Sequence, residues 1–198
     1  RIIGVSVDAQ GKQALRMAQQ TREQHIRREN ANSNICTSQV LLANLAGMYA
    51  VYHGPEGVKR IATRIHALAS AFAQAIKQAG MSIVHEQFFD TVLVNTQGQT
   101  EQTYQNALNI GYNLRKVDDS HIAIAFNETS DAADFGVLTQ LFTGVAAQLS
   151  DDISLSLPAS LLRTDAILSH PVFNRYHTEH EMLRYLKKLE NKDLAMNH

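Results

Sequence analysis

The chain has 198 residues, 44% of them hydrophobic and 19% charged, which is enough apolar content for a packed core and too much for global disorder. Its formal net charge is -1 with no basic tail, so a nucleic-acid or anionic-membrane surface is not expected. No apolar run reaches the roughly 20 residues a membrane helix needs, no signal peptide opens the chain, and the single Cys36 excludes an internal disulfide and suits a reducing, cytoplasmic setting.

Residues 2–7 (IIGVSV) are β-rich and end in the turn signal Asp8-Ala9-Gln10-Gly11; Ala14 to Ala18 either return as the second strand of a hairpin or begin a helix. Residues 21–29 are almost wholly polar, and the Asn/Ser-rich stretch from Asn30 to Asn34 is loop chemistry. From Thr37 a helical period places Val40, Leu41, Leu45 and Met48 on one side, and it stops near His53-Gly54-Pro55. A second helix carries Val58, Ile61, Ile65, Leu68, Phe72 and Ile76 at spacings of three or four and ends at Gly80.

After Gly80 the period turns to strand over 81–85 and 89–95, and a helix is expected over 101–110. Two strands, 114–117 and 121–126, face each other across Asp118-Asp119. Thr129 or Ser130 is expected to cap a helix with Phe135, Leu138, Leu141, Phe142 and Val145 on its buried face. Residues 151–177 read as an extended linker. Thr178 and Glu181 then form a capping box for a last helix through Met182, Leu183, Tyr185, Leu186 and Leu189. Paired strands with short turns favour an antiparallel sheet with helices on one face, an α+β sandwich.

The polar segment 21–37 is the chemically distinctive one. Arg22, Arg27, Arg28 and His25 precede a helix start at which Ser33, Asn34 and Thr37 could donate to a phosphate or carboxylate. A solvated loop followed by an ordinary capped helix explains the same residues, and spacing alone favours it. Cys36 is either a small buried hydrophobe, the commoner case, or a thiol activated near a helix N-terminus. The nine histidines do not converge with the three ligands a metal needs; His177 and His180 read as surface or capping residues. No metal ligands and no catalytic residues are assigned, and on spacing alone the chain could be a stand-alone small-anion-binding or regulatory module.

The stretch from Gln20 to Glu29, with Ser33-Asn34-Ile35-Cys36-Thr37, resembles the TREQHIRR…SNICT signature of the glycine decarboxylases, the P-proteins of the glycine cleavage system. Residues 1–8, Ala50 to Pro55, Phe126 to Thr129, Phe173 to His177 and Arg184 to Leu194 resemble the same family, so the likeness runs the length of the chain. Asn30 and Asn32 stand where Lys and Thr are expected in that signature.

The resemblance implies a type I pyridoxal-phosphate fold in a chain of two homologous halves, and an internal fragment spanning the end of the first half. Residues 1–36 would be terminal strands and polar loop of a large domain, 37–150 the small C-terminal domain, and 151–198 a linker and helix leading into the second half. It further implies decarboxylation of glycine, with transfer of the aminomethyl group to the lipoyl arm of H-protein, in a homodimeric parent. Ser33, Asn34 and Thr37 would touch the cofactor phosphate across an interface. None of the seven lysines stands in the sequence context of the Schiff-base lysine, so the fragment is expected to be inactive alone.

Overall fold

A computed structural model describes residues 4–16, 39–150 and 156–192. The chain divides into two compact units, one formed by Arg1–Gly54 with His170–His198 and the other by Pro55–Ser169.

In the first unit, β1 (Gly4–Val7) and β2 (Gln13–Arg16) form an antiparallel hairpin with Val5 opposite Leu15, so the hairpin alternative for Ala14 is the one adopted. Asp8 sets the turn: its Oδ1 accepts from the backbone N–H groups of Gln10 and Lys12, each at 2.9 Å. Helix α1 (Gln39–Gln78) begins in this unit and is interrupted at Gly54, whose φ of 63° and ψ of -179° are non-helical. Up to that break α1 contains no Asp, Glu, Lys or Arg. The apolar side that the helical period marks out is largely uncovered, with Leu41 64% and Leu45 57% exposed, while Val51 is buried. A 3-10 turn (Pro171–Asn174) leads to α4 (Glu179–Glu190), where Thr178 and Glu181 close the expected capping box. Leu183 on α4 and Val5 and Val7 on β1 are exposed.

The second unit carries the core. Past Gly54, α1 presents Leu68, Phe72 and Ile76 to a four-stranded antiparallel sheet of β3 (Ser82–Ile83), β4 (Thr91–Asn95), β5 (Arg115–Lys116) and β6 (His121–Ala125), ordered β3-β4-β6-β5. Val92 pairs with Ile124 and Val94 with Ile122, which puts all four on one face, and all are buried. Phe72 has no exposed surface and holds the rings of Phe126 and Phe142 at centroid distances of 5.6 and 5.7 Å. Helix α2 (Thr100–Asn109) connects β4 to the β5–β6 pair, and α3 (Ala132–Thr143) adds Phe135 and Leu138 to the core. The α+β antiparallel architecture read from the sequence is thus the one observed.

Two local expectations are corrected. The cap of α3 is Asp131, whose carboxylate accepts from Ala133 and Asp134 N–H, whereas Thr129 and Ser130 belong to a preceding turn around Asn127. Val145 lies beyond the helix and is 70% exposed, because Gly144 ends α3 in the left-handed conformation. In the segment expected to be an extended linker, residues 156–177 contain a 3-10 turn at Ala159–Leu161 besides the one at Pro171.

Candidate functional site

Ser33, Asn34 and Thr37, the candidate anion-binding residues of the sequence, lie outside the described residues, together with Cys36, His25 and the three arginines before them. The described residues offer three polar constellations, and geometry decides what each can do.

The first joins two stretches that sequence reading treated separately. Gly54 interrupts α1, and Pro55 has no N–H to return to the Val51 carbonyl, which leaves the break one helical N–H donor short. His177 supplies one: its Nδ1 lies 2.7 Å from the Tyr52 carbonyl oxygen. A carbonyl only accepts, so Nδ1 carries the proton. The imidazole rests against Gly54, where an added Cβ would stand 2.8 Å from His177 Cε1 and 2.7 Å from the Phe173 oxygen. On the far side of the same segment, Tyr176 stacks on Tyr185 of α4, at 4.2 Å between centroids and 13° between planes. His177 is therefore a capping histidine.

The second constellation is His66, 3% exposed and stacked on Phe89. Its Nδ1 donates to the Phe89 oxygen at 2.7 Å, leaving Nε2 toward the hydroxyls of Ser70 at 3.5 Å and Ser156 at 3.4 Å. An oriented imidazole facing a hydroxyl can act as a general base. Here Ser70 is only 5% exposed and Ser156 also donates its backbone N–H to Ser70, so the group ties residue 156 to α1; the two serines lie in the wall of a cleft of about 340 Å³ whose charged side chains, Lys77 and Glu86, pair with each other. The sequence carried a faint signal for it, a histidine and a serine four apart beside the apolar stripe of α1.

The third is a cleft of about 280 Å³ beside the edge of β6, where the pairing with β5 begins only at Arg115 and Tyr112 to Leu114 precede it. The Tyr112 hydroxyl donates to Asp134 at 2.6 Å. Ser130 accepts from Asn127 N–H, and Asn127 Oδ1 accepts from Thr129. These polar groups satisfy one another, which makes the cleft a poor receptor for a polar ligand. The Asp134 carboxylate pushes the Tyr112 phenol up to about 12, with burial adding to it. An unfolded tyrosine ionises near 10, so the stabilisation is whole below about pH 10 and is lost as pH rises through about 12. Tyr112→Phe should destabilise the protein by about 1 kcal/mol at pH 8. Urea unfolding should show that deficit closing between about pH 10 and 12; a deficit unchanged at pH 12 would contradict the assignment.

A lysine that holds a carbonyl cofactor must lose its proton and be shielded from water. All seven lysines fall within the described residues, and all are exposed. Lys59, Lys77, Lys116 and Lys187 pair with Glu56, Glu86, Glu101 and Glu190. The hydrogen bond that Lys116 donates to the Glu101 carboxylate raises the pKa of its ammonium above the ordinary lysine value. These residues do not fit an aldehyde-binding role. Among the described residues no three His, Cys, Asp or Glu side chains converge as metal ligands, and no helix is long and apolar enough to cross a membrane.

Fold and polar groups together define an α+β unit with a four-stranded sheet and a second unit, of a hairpin and helices, closed by a histidine clasp, with no described lysine suited to covalent cofactor chemistry. The profile of the glycine cleavage system P-protein matches residues 1–142, and the chain belongs to that family. It is 66% identical over 202 positions to the glycine dehydrogenase (decarboxylating) of Psychrobacter cryohalolentis and 61% identical over 201 positions to that of Chromobacterium violaceum. In both cases 100% of this chain aligns with 21% of the relative, so the chain spans about a fifth of the length of these relatives. Among solved structures, a glycine decarboxylase (P-protein) of the glycine cleavage system in inhibitor-bound form aligns with a TM-score of 0.48 and 24% identity, over 73% of this chain and 35% of that one.

Proposed function

We propose that these residues serve a pyridoxal-phosphate-dependent glycine decarboxylase, the enzyme that releases carbon dioxide from glycine and passes the aminomethyl group to the lipoyl arm of H-protein. The observation that carries this reading is 66% identity across the whole chain to a glycine dehydrogenase (decarboxylating). The cofactor, when bound, supplies the electron sink for the decarboxylation. The lysine that holds it would come from a second half of the same polypeptide, since the lysines here are exposed and mostly ion-paired. The role of this chain is then that of a scaffold: 1–36 as terminal strands and loop of a large domain, 37–150 as a type I small domain, and 151–198 as the passage to the catalytic half. Ser33, Asn34 and Thr37 contact the cofactor phosphate across the interface of a cytoplasmic homodimer.

The test is exchange of labelled bicarbonate into the carboxyl group of glycine, with pyridoxal phosphate and H-protein supplied, comparing the intact parent enzyme with the 198-residue chain. The parent should exchange label and the shorter chain should not. A silent parent would sink the decarboxylase reading, and exchange by the shorter chain would sink the scaffold role.

A further inference from the structure

We propose that His177 is a positioning residue, which clamps the segment 171–178 to the end of the first part of α1 through its Nδ1–H. Its consequence for activity rests on the decarboxylase reading above; the clamp itself rests on geometry alone. Three observations converge on one imidazole. Its Nδ1 is 2.7 Å from the Tyr52 carbonyl, in the last turn before the break at Gly54. Its ring occupies space that exists because residue 54 has no Cβ. Its neighbours on both sides are fixed, Tyr176 by stacking on Tyr185 and Thr178 as the N-cap of α4.

The charge state of the ring does not matter to this clamp. Nδ1 keeps its hydrogen in the neutral tautomer that the carbonyl selects and in the imidazolium alike. His177 therefore holds rather than switches. What it holds is the helix whose described start, Gln39, follows Thr37 by two residues. Fixing the far end of this helix limits how its first part can shift, and catalytic geometry tolerates displacements of about 1 Å poorly.

The experiment uses the full-length parent decarboxylase carrying His177→Asn, His177→Gln or His177→Ala. Asparagine places an amide N–H near the position of Nδ1, whereas glutamine places it near Nε2. Backbone hydrogen exchange is followed over residues 49–57 and 171–178, and glycine–bicarbonate exchange is measured in parallel. Alanine and glutamine should speed hydrogen exchange in both segments by about fivefold or more, and asparagine by no more than about twofold. The same two variants should lower kcat at nearly constant KM for glycine, with asparagine restoring it. If asparagine behaves like alanine, ring packing and not the Nδ1–H bond is responsible, and the proposal falls. If hydrogen exchange rises while kcat does not change, the residue is structural only and the positioning role falls. If the unsubstituted parent has no bicarbonate exchange, the decarboxylase reading fails by itself, and hydrogen exchange still decides the clamp.

Discussion

Gly54→Ala should lower the stability of this protein by about 3 to 5 kcal/mol, among the largest effects expected of a single methyl group. Two costs combine. The backbone at φ 63° and ψ -179° lies in a region that is essentially glycine's alone, so any side chain there is strained by about 1 to 3 kcal/mol. The new Cβ would also stand 2.7 Å from the Phe173 carbonyl oxygen, which is main chain and cannot swing aside. Displacing it means moving the clasp segment, with an overpacking cost of about 1 to 3 kcal/mol. Calorimetry should show the affected transition about 10 °C lower. Gly80→Ala separates the two costs. Gly80 has φ +80° with nothing within 4 Å of an added Cβ, so it should show the backbone cost alone. Equal losses at the two positions would mean that the approach of Phe173 and His177 has been overestimated.

Phe72→Ala should destabilise the second unit by about 3 to 5 kcal/mol. Phe72 sits at 0% exposure between α1 and the sheet, and its ring meets Phe126 at the end of β6 and Phe142 on α3. Removing it leaves a cavity walled by three different elements, none of which can collapse without disturbing another. In urea the midpoint should fall while the slope with denaturant stays the same, since the same surface is exposed on unfolding. Phe72→Leu, which refills most of the volume, should recover more than half of the loss. A loss under about 1 kcal/mol for alanine would show that the aromatic cluster is loosely packed.

What could be read from the sequence was what neighbouring residues settle among themselves. The three-and-four spacing of Leu68, Phe72 and Ile76 marked the buried side of α1, the pair Thr178 and Glu181 marked the start of α4, and alternation in β4 and β6 put Val92, Val94, Ile122 and Ile124 on one face. The Gly54-Pro55 break was legible for the same reason, as a dipeptide that ends a helix. The cap of α3 was misplaced because several cap-forming residues stand in a row from Asn127 to Asp131, and only the turn that Asn127 closes on Thr129 and Ser130 selects Asp131. Periodicity likewise marked Val40, Leu41 and Leu45 as one side of α1. It cannot say what, if anything, lies against that side, and Leu41 and Leu45 are exposed. The clasp left no local trace: neither Tyr52 nor His177 is unusual among its own neighbours, and only the fold brings them together. The loop with Ser33, Asn34 and Thr37 was the most distinctive stretch in sequence, and it falls outside the described residues.

The hydrogen bond between His177 and Tyr52 spans 125 positions of sequence. That separation has a meaning in time. A ribosome adding about 5 to 20 residues per second releases the first part of α1 on the order of ten seconds before the histidine that caps it. All of the Pro55–Ser169 unit, with its own core, is made in that interval. The inserted unit can therefore complete itself while the unit around it is still waiting for its closing residue, so the order of synthesis and the order of assembly differ in this chain.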